Sequence, residues 1–160
     1  MFAVDILCIG KLKEEYLRAA CGEYQKRIGG FAKLTVTELP EARLPDSPSP
    51  AQIEAALQKE GQAILAKVPA GRLLIPLCIE GKQMDSPQLA KTLSQAGISG
   101  KSGACFVIGG SFGLSDQVKR QGELMLSMSR MTFPHQLARV MLLEQIYRAF
   151  QIQAGGKYHK

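Results

Sequence analysis

His135 and Arg139 stand four residues apart at the start of a run with helical spacing, which puts an imidazole and a guanidinium on one helix face. An imidazole titrates near neutrality, so this pair could move a proton and orient a carbonyl or a phosphate. Glu144 and Arg148 repeat the spacing further along, where such a pair is more often a helix-stabilising ion pair than a catalytic device. Just ahead of His135, the stretch Ser127, Met128, Ser129, Arg130, Met131, Thr132, Phe133, Pro134 mixes apolar and small polar residues. As a loop it would offer backbone amides and carbonyls to a ligand, and its make-up suits an adenosine better than a bare phosphate. A plain connector is the alternative. Two further places have glycines where a chain could approach a ligand closely: Leu77, Cys78, Ile79 leading into Glu80, Gly81, Lys82, and Ile108 leading into Gly109, Gly110, Ser111, Phe112, Gly113. Tight turns alone would equally account for the second cluster. The dinucleotide fingerprint GxGxxG is absent from the first strand-to-helix turn. The last residues, Gly155, Gly156, Lys157, Tyr158, His159, Lys160, combine a flexible pair, a ring, an imidazole and two lysines that could grip a base and its phosphates, although fraying is the ordinary fate of such a tail.

The elements that must position these groups alternate between strand and helix. Ala3 to Ile9 is an apolar run ending at Gly10, and Leu12 to Ile28 repeats apolar residues at helical spacing until Gly29 and Gly30. Lys33 to Leu39 reads as a strand, and Pro40, Pro45, Pro48 and Pro50 mark a surface loop. Ser49 with Pro50 opens a helix to about Lys67, and Ser86 with Pro87 opens another to about Ala96. Arg72 to Ile79 and Ala104 to Ile108 are continuous apolar runs of the kind covered on both faces in parallel sheets. Pro76 cannot donate to a ladder, so its strand must be an edge there or break its pairing. Ser115 caps a short helix, Leu124 to Met128 is a brief apolar piece, and a final helix runs from about His135 to Gln153. Apolar residues occupy nearly every side of that helix, so it is either central to the core or shared with a second subunit. The expected fold is a single α/β domain over residues 1–160 with a largely parallel sheet and helices on both faces.

Composition narrows the function classes. The balance of 46% hydrophobic and 21% charged residues is that of an ordinary globular domain. A net charge of +6 favours a polyanionic partner, nucleic acid first, with a merely basic surface as the alternative. Cys8, Cys21, Cys78 and Cys105 have no CxxC spacing and no nearby histidine, which points to buried reduced thiols, no metal site and a cytoplasmic setting. Phe2 to Ile9 is too short, and lacks the basic flank, for a signal peptide, and no run approaches a membrane span.

The order and spacing of IGKLKEEY (Ile9–Tyr16), LCIEGK (Leu77–Lys82), VIGGSFGLS (Val107–Ser115), LSMSRMTFPHQLARVMLLEQIYRAF (Leu126–Phe150) and the terminal YHK resemble the ribosomal RNA large subunit methyltransferase H family from end to end. The resemblance implies a SPOUT fold with a C-terminal trefoil knot, a homodimer, and S-adenosylmethionine held by Leu77, Gly109, Gly110 and Met128 through Phe133. It further implies methyl transfer to N3 of a pseudouridine in the intersubunit hairpin of 23S rRNA, with no metal. On that reading His135 is the first candidate for proton acceptor or orienter and His159, from the partner's tail, the second. Arg139 would orient the base or a phosphate, Tyr158 would stack on the base and Lys160 would bind backbone. Other members carry Pro-Glu where this chain has Ser111 and Phe112, and some end in arginine where it has Lys160, which keeps the charge but loses the planar fork. The rival from another class is a ribosome-binding protein that keeps the fold without turnover, and a second rival is another nucleotide-using α/β enzyme.

Overall fold

The computed structural model describes residues 1–160 as β1 (Ala3–Ile9), α1 (Glu15–Ile28), β2 (Lys33–Leu39), α2 (Pro50–Lys67), β3 (Arg72–Gln83), α3 (Ser86–Ile98), β4 (Gly103–Ile108), α4 (Asp116–Gln121), β5 (Leu126–Ser127) and α5 (His135–Gln153). The strands form one sheet in the order β2-β1-β4-β3-β5, every pair parallel. Alternation along the central strands divides the core. Val4, Ile6, Cys8, Ala104, Phe106 and Ile108 point towards α1, α3 and α5, whereas Leu7, Ile9, Cys105 and Val107 meet Ile64 of α2 and Val118 of α4. All six residues of β4 are buried, as a strand with helices over both faces requires. Burial pushes the Cys8 and Cys105 thiols up to about 12, the charges nearby having smaller effects, so both are inert core residues.

Several boundaries moved for identifiable reasons. Helix α1 begins at Glu15, not Leu12, because side chains already satisfy the backbone before it. Leu12 N donates to Glu38 Oε2 at 3.2 Å, and Arg18 Nη1 donates to the carbonyls of Leu12 and Lys13. The cap of α3 is Asp85, which accepts from Gln88 N at 2.8 Å. The expected cap, Ser86, instead donates its hydroxyl proton to Gln145 Oε1 of α5. Ser49 caps α2 as its sequence predicts, with Gln52 closing the reciprocal box.

Pro76 breaks pairing on one side only. Its partner across β4 is Val107, the last pair of that ladder, while on the β5 side the ladder is irregular between Leu77 and Lys82. The residue two before it, Leu74, accepts from Glu123 N and Leu124 N on that same side. The missing amide therefore falls where Gly122 packs on the proline ring and no ladder bond is needed. Strand β3 then continues to Gln83, past the expected end at Ile79, because Gly81 admits β5. A Cβ there would lie 2.8 Å from Met125 O. The apolar piece expected at Leu124 to Met128 reduces to the two residues of β5. Helix α5 packs into the core of the chain, with Leu142, Leu143, Ile146, Ala149 and Phe150 buried and Leu137 left exposed near its start.

Candidate functional site

Three segments that are distant in sequence meet past the carboxyl end of β4 and along the second half of β3, beyond the last β3–β4 pair at Pro76 and Val107, on the side where open α/β sheets hold ligands. They are Leu77 to Glu80, Ile108 to Leu114, and Met128 with Ser129 and Met131 to His135, and together with Lys119 and Ala138 they enclose a cleft of about 830 Å³. The glycines have definite tasks there. Gly113 adopts φ +81° and donates its amide to Gly110 O at 3.1 Å, and a Cβ on Gly109 would run into the Gly113 carbonyl. Across the cleft the last loop is held by its own serines, Ser127 Oγ donating to Ser129 O and Ser129 Oγ accepting from Met131 N, each at 3.0 Å. The backbone amides of Ser129, Thr132 and Phe133 bond to no other backbone group. An apolar slot edged by such free amides suits a flat heterocycle with ring nitrogens. The acidic and basic side chains of the lining, besides the His135 imidazole, are Glu80 and Lys119, paired at 2.5 Å. Burial pushes the Cys78 thiol up, with the Glu80 charge adding to it, so the thiol stays protonated.

Of the expected binding residues, Leu77, Gly109, Gly110, Met128, Ser129, Met131, Thr132 and Phe133 line this cleft, and Arg130 is turned out to solvent. The expected catalytic group is divided among three places. His135 lines the cleft at the start of α5. Arg139, one turn on, is buried beneath it, with Nη1 donating to Glu38 Oε2 at 2.7 Å, Nη2 donating to Gly10 O at 3.2 Å and Nε unpartnered. It lines a second cavity, of about 670 Å³, beside Lys11, Arg18 and Glu38. Tyr158 and His159 fold back on α5 of their own chain. The Tyr158 hydroxyl donates to Glu144 Oε1 at 3.0 Å, its ring lies edge-on to Tyr147 and under the Arg148 guanidinium, and His159 Nδ1 is 3.2 Å from Arg148 Nη1. Burial, then the Glu144 hydrogen bond, push the Tyr158 hydroxyl up to about 12. Lys160 is exposed. Sequence reasoning passed over Lys119 and Glu38. Lys119's only signal was its place one turn into the helix capped by Ser115, and Glu38, on a strand, carried none.

A family model described as "Predicted SPOUT methyltransferase" matches residues 2–159. Proteins named "Ribosomal RNA large subunit methyltransferase H" are similar along their whole length. One from Streptococcus thermophilus (strain CNRZ 1066) is 51% identical over 157 residues, 98% of this chain and 99% of the relative, and one from Clostridioides difficile (strain 630) is 45% identical over the same shares. The chain belongs to the SPOUT methyltransferase family. Solved structures agree at the level of fold. A probable methyltransferase from Bordetella pertussis Tohama I superposes with a TM-score of 0.55 at 16% identity, covering 93% of this chain and 95% of that one. A probable methylase family protein from Haemophilus influenzae Rd KW20 gives 0.53 at 14%, covering 98% and 70%. The SPOUT methyltransferase thus has its cleft between the second half of β3 and the loops that follow β4 and β5, and the open amides and apolar walls fit the adenosyl part of a sulfonium methyl donor.

Proposed function

We propose that this chain methylates N3 of a pseudouridine in the intersubunit hairpin of 23S rRNA, using S-adenosylmethionine, as a cytoplasmic homodimer acting on the large subunit or the assembled ribosome. The observation that carries the reading is the convergence of Leu77, Gly109, Gly110 and the Met128–Phe133 loop on one cleft with His135 at its edge. Those residues would hold the donor. The bound donor supplies an electrophilic methyl on sulfur, so the chain's own tasks are alignment and removal of the N3 proton. His135 takes that proton as the N3–methyl bond forms. Arg139 positions the His135 imidazole from beneath, since its guanidinium ties Glu38 to Gly10, where a Cβ would lie 3.8 Å from His135 Nε2. Tyr158, His159 and Lys160, lifted from their own α5, serve the base and phosphates in the partner's site. N3 lies on the pairing edge, so the base must be unstacked to be reached.

The whole of residues 1–160 acts as one unit, and we infer that its C-terminal part is tied in a trefoil knot, a rare arrangement. Two features support it. Gly122 to Leu126 is drawn tightly along β3, Lys82 N donating to Met125 O at 2.8 Å. The chain then passes from α4, on the face of α2, to α5, on the opposite face.

The direct test is methyl transfer from labelled S-adenosylmethionine to bacterial ribosomes, with the modified nucleoside identified by mass. N3-methylpseudouridine is the expected product. Donor binding without that product would redirect the reading to another RNA, and no donor binding would leave a non-catalytic ribosome-binding protein. His135→Ala should remove turnover with donor affinity nearly intact, and an equal loss of both would reject His135 as proton acceptor. Deleting Tyr158 to Lys160 should leave a folded, inactive dimer. Full activity in that truncation would rule out the tail.

A further inference from the structure

The ion pair between Glu80 and Lys119 is the one feature of the cleft that an adenosine does not explain. Among the lining residues these two alone are lysine, arginine, aspartate or glutamate. They come from different elements, Glu80 from the irregular part of β3 between Leu77 and Lys82, and Lys119 from α4, whose seat is set by buried Val118 and by Ser115 capping its amide. Their side chains are 56% and 25% exposed, so the pair lies at the mouth of the cleft and contributes little to folding. An exposed pair at the edge of a binding cleft is easily exchanged for a ligand of matching charges. The methyl donor proposed above ends in an amino acid, a zwitterion with one ammonium and one carboxylate on the same carbon.

We propose that Glu80 and Lys119 recognise that end: Lys119 Nζ takes the α-carboxylate, Glu80 takes the α-ammonium, and the two side chains give up each other for the ligand. The inference rests on the proposed use of S-adenosylmethionine. It assigns the amino-acid end to the rim at α4 and leaves the glycine loop and the Met128–Phe133 loop to the adenosine. An ionised lysine and carboxylate, each bonding an opposite charge, form the stronger class of hydrogen bond, so loss of either should be measurable as affinity. The rival role for Glu80 is to face the sulfonium, the donor's other positive centre.

Calorimetric titration of the full chain with three ligands separates these cases: S-adenosylmethionine, S-adenosylhomocysteine, which lacks the sulfonium charge, and 5′-methylthioadenosine, which lacks the amino-acid end. Lys119→Met and Glu80→Gln should each weaken the first two ligands by roughly tenfold or more. Binding of 5′-methylthioadenosine should be unchanged, which also reports that each variant is folded. Unchanged S-adenosylmethionine binding in the variants overturns the proposal, as does an equal loss for 5′-methylthioadenosine. A loss in Glu80→Gln confined to S-adenosylmethionine assigns Glu80 to the sulfonium and overturns its pairing with the ammonium. A wild-type chain that binds 5′-methylthioadenosine as tightly as S-adenosylmethionine defeats this inference and leaves the donor reading standing, whereas one that binds none of the three defeats both.

Discussion

Arg139 is 3% exposed and carries a full charge, so its energetics are dominated by how that charge is met. Glu38 supplies the counter-charge and remains about one-third exposed, which makes the two partners unequal. Removing Glu38 strands a buried guanidinium, whereas removing Arg139 leaves a carboxylate that water can reach. Glu38→Ala should therefore cost about 3 kcal/mol in urea unfolding and Arg139→Met, which keeps the buried stem, nearer to 1. The reverse order would mean that packing, not charge, sets the cost. Burial pushes the Glu38 carboxyl up, but the hydrogen bonds from Arg139 and Leu12 N and the charges of Arg139 and Lys11 outweigh it and hold it below its ordinary 4.5. Its contribution is present above that value and is lost as pH falls through the lowered one. Glu60 has the opposite sign. Burial, with a smaller push from Glu41, raises its carboxyl above 4.5 despite the Ala42 N–H bond at 2.9 Å. Stability associated with Glu60 is complete below 4.5 and is lost as pH rises through the raised value. Glu60→Gln keeps an acceptor for Ala42 N, so its unfolding free energy should exceed wild type at pH 7 and match it in acid. A variant no more stable at neutral pH would refute the buried-carboxylate account.

At the scale of elements, α2 seats α4, and α4 carries Lys119. The contact is close: a Cβ on Gly61 would lie 2.5 Å from Ser115 Oγ and 3.3 Å from Val118 Cγ2. Gly→Ala within a helix ordinarily stabilises by about 1 kcal/mol. Here the added methyl meets the residue that caps α4, and losing such a cap costs about 1 kcal/mol before any displacement of Val118 from the core. Gly61→Ala should lower the melting temperature by a few degrees and weaken S-adenosylmethionine binding through the shift of Lys119. A rise in melting temperature with unchanged binding would mean that α4 moves aside without consequence.

At the scale of the molecule, three of the large exposed apolar side chains gather at the cleft, whereas Met1, Tyr16 and Ile98 lie elsewhere. Ile79, Phe112 and Met131 rim the cleft, and Leu137 lies on the first turns of α5. Exposed apolar side chains gathered at a cleft commonly mark a surface that a ligand or partner covers. For the proposed homodimer it is the natural seam, since it would also bring the partner's tail to the cleft. Leu137→Asp should convert the dimer to a folded monomer in sedimentation and remove turnover on ribosomes. A variant that remains dimeric would shift the seam to another face of α5. The charge of +6 makes a companion prediction: ribosome affinity should fall linearly on a log–log plot against salt, as counterion release requires, and an affinity insensitive to salt would deny the phosphate contacts.

The order of strands and helices, the capped starts of α2 and α4, the buried character of β4 and the three segments of the cleft all follow from the sequence, because each depends on local patterning: apolar alternation, a serine before a helix, glycines near a strand end. Even the break at Pro76 is local, since a missing amide cannot pair wherever the strand goes. What only the tertiary structure decided are matters of direction and partner. His135 and Arg139 lie on one helix face, but the long arginine side chain reaches back to Gly10 and Glu38 while the imidazole stays at the cleft. Glu80 and Lys119 are 39 residues apart in the chain. They become a pair only because β3 lies beside the segment that carries α4, and charge complementarity across such a distance leaves no periodic trace in a sequence.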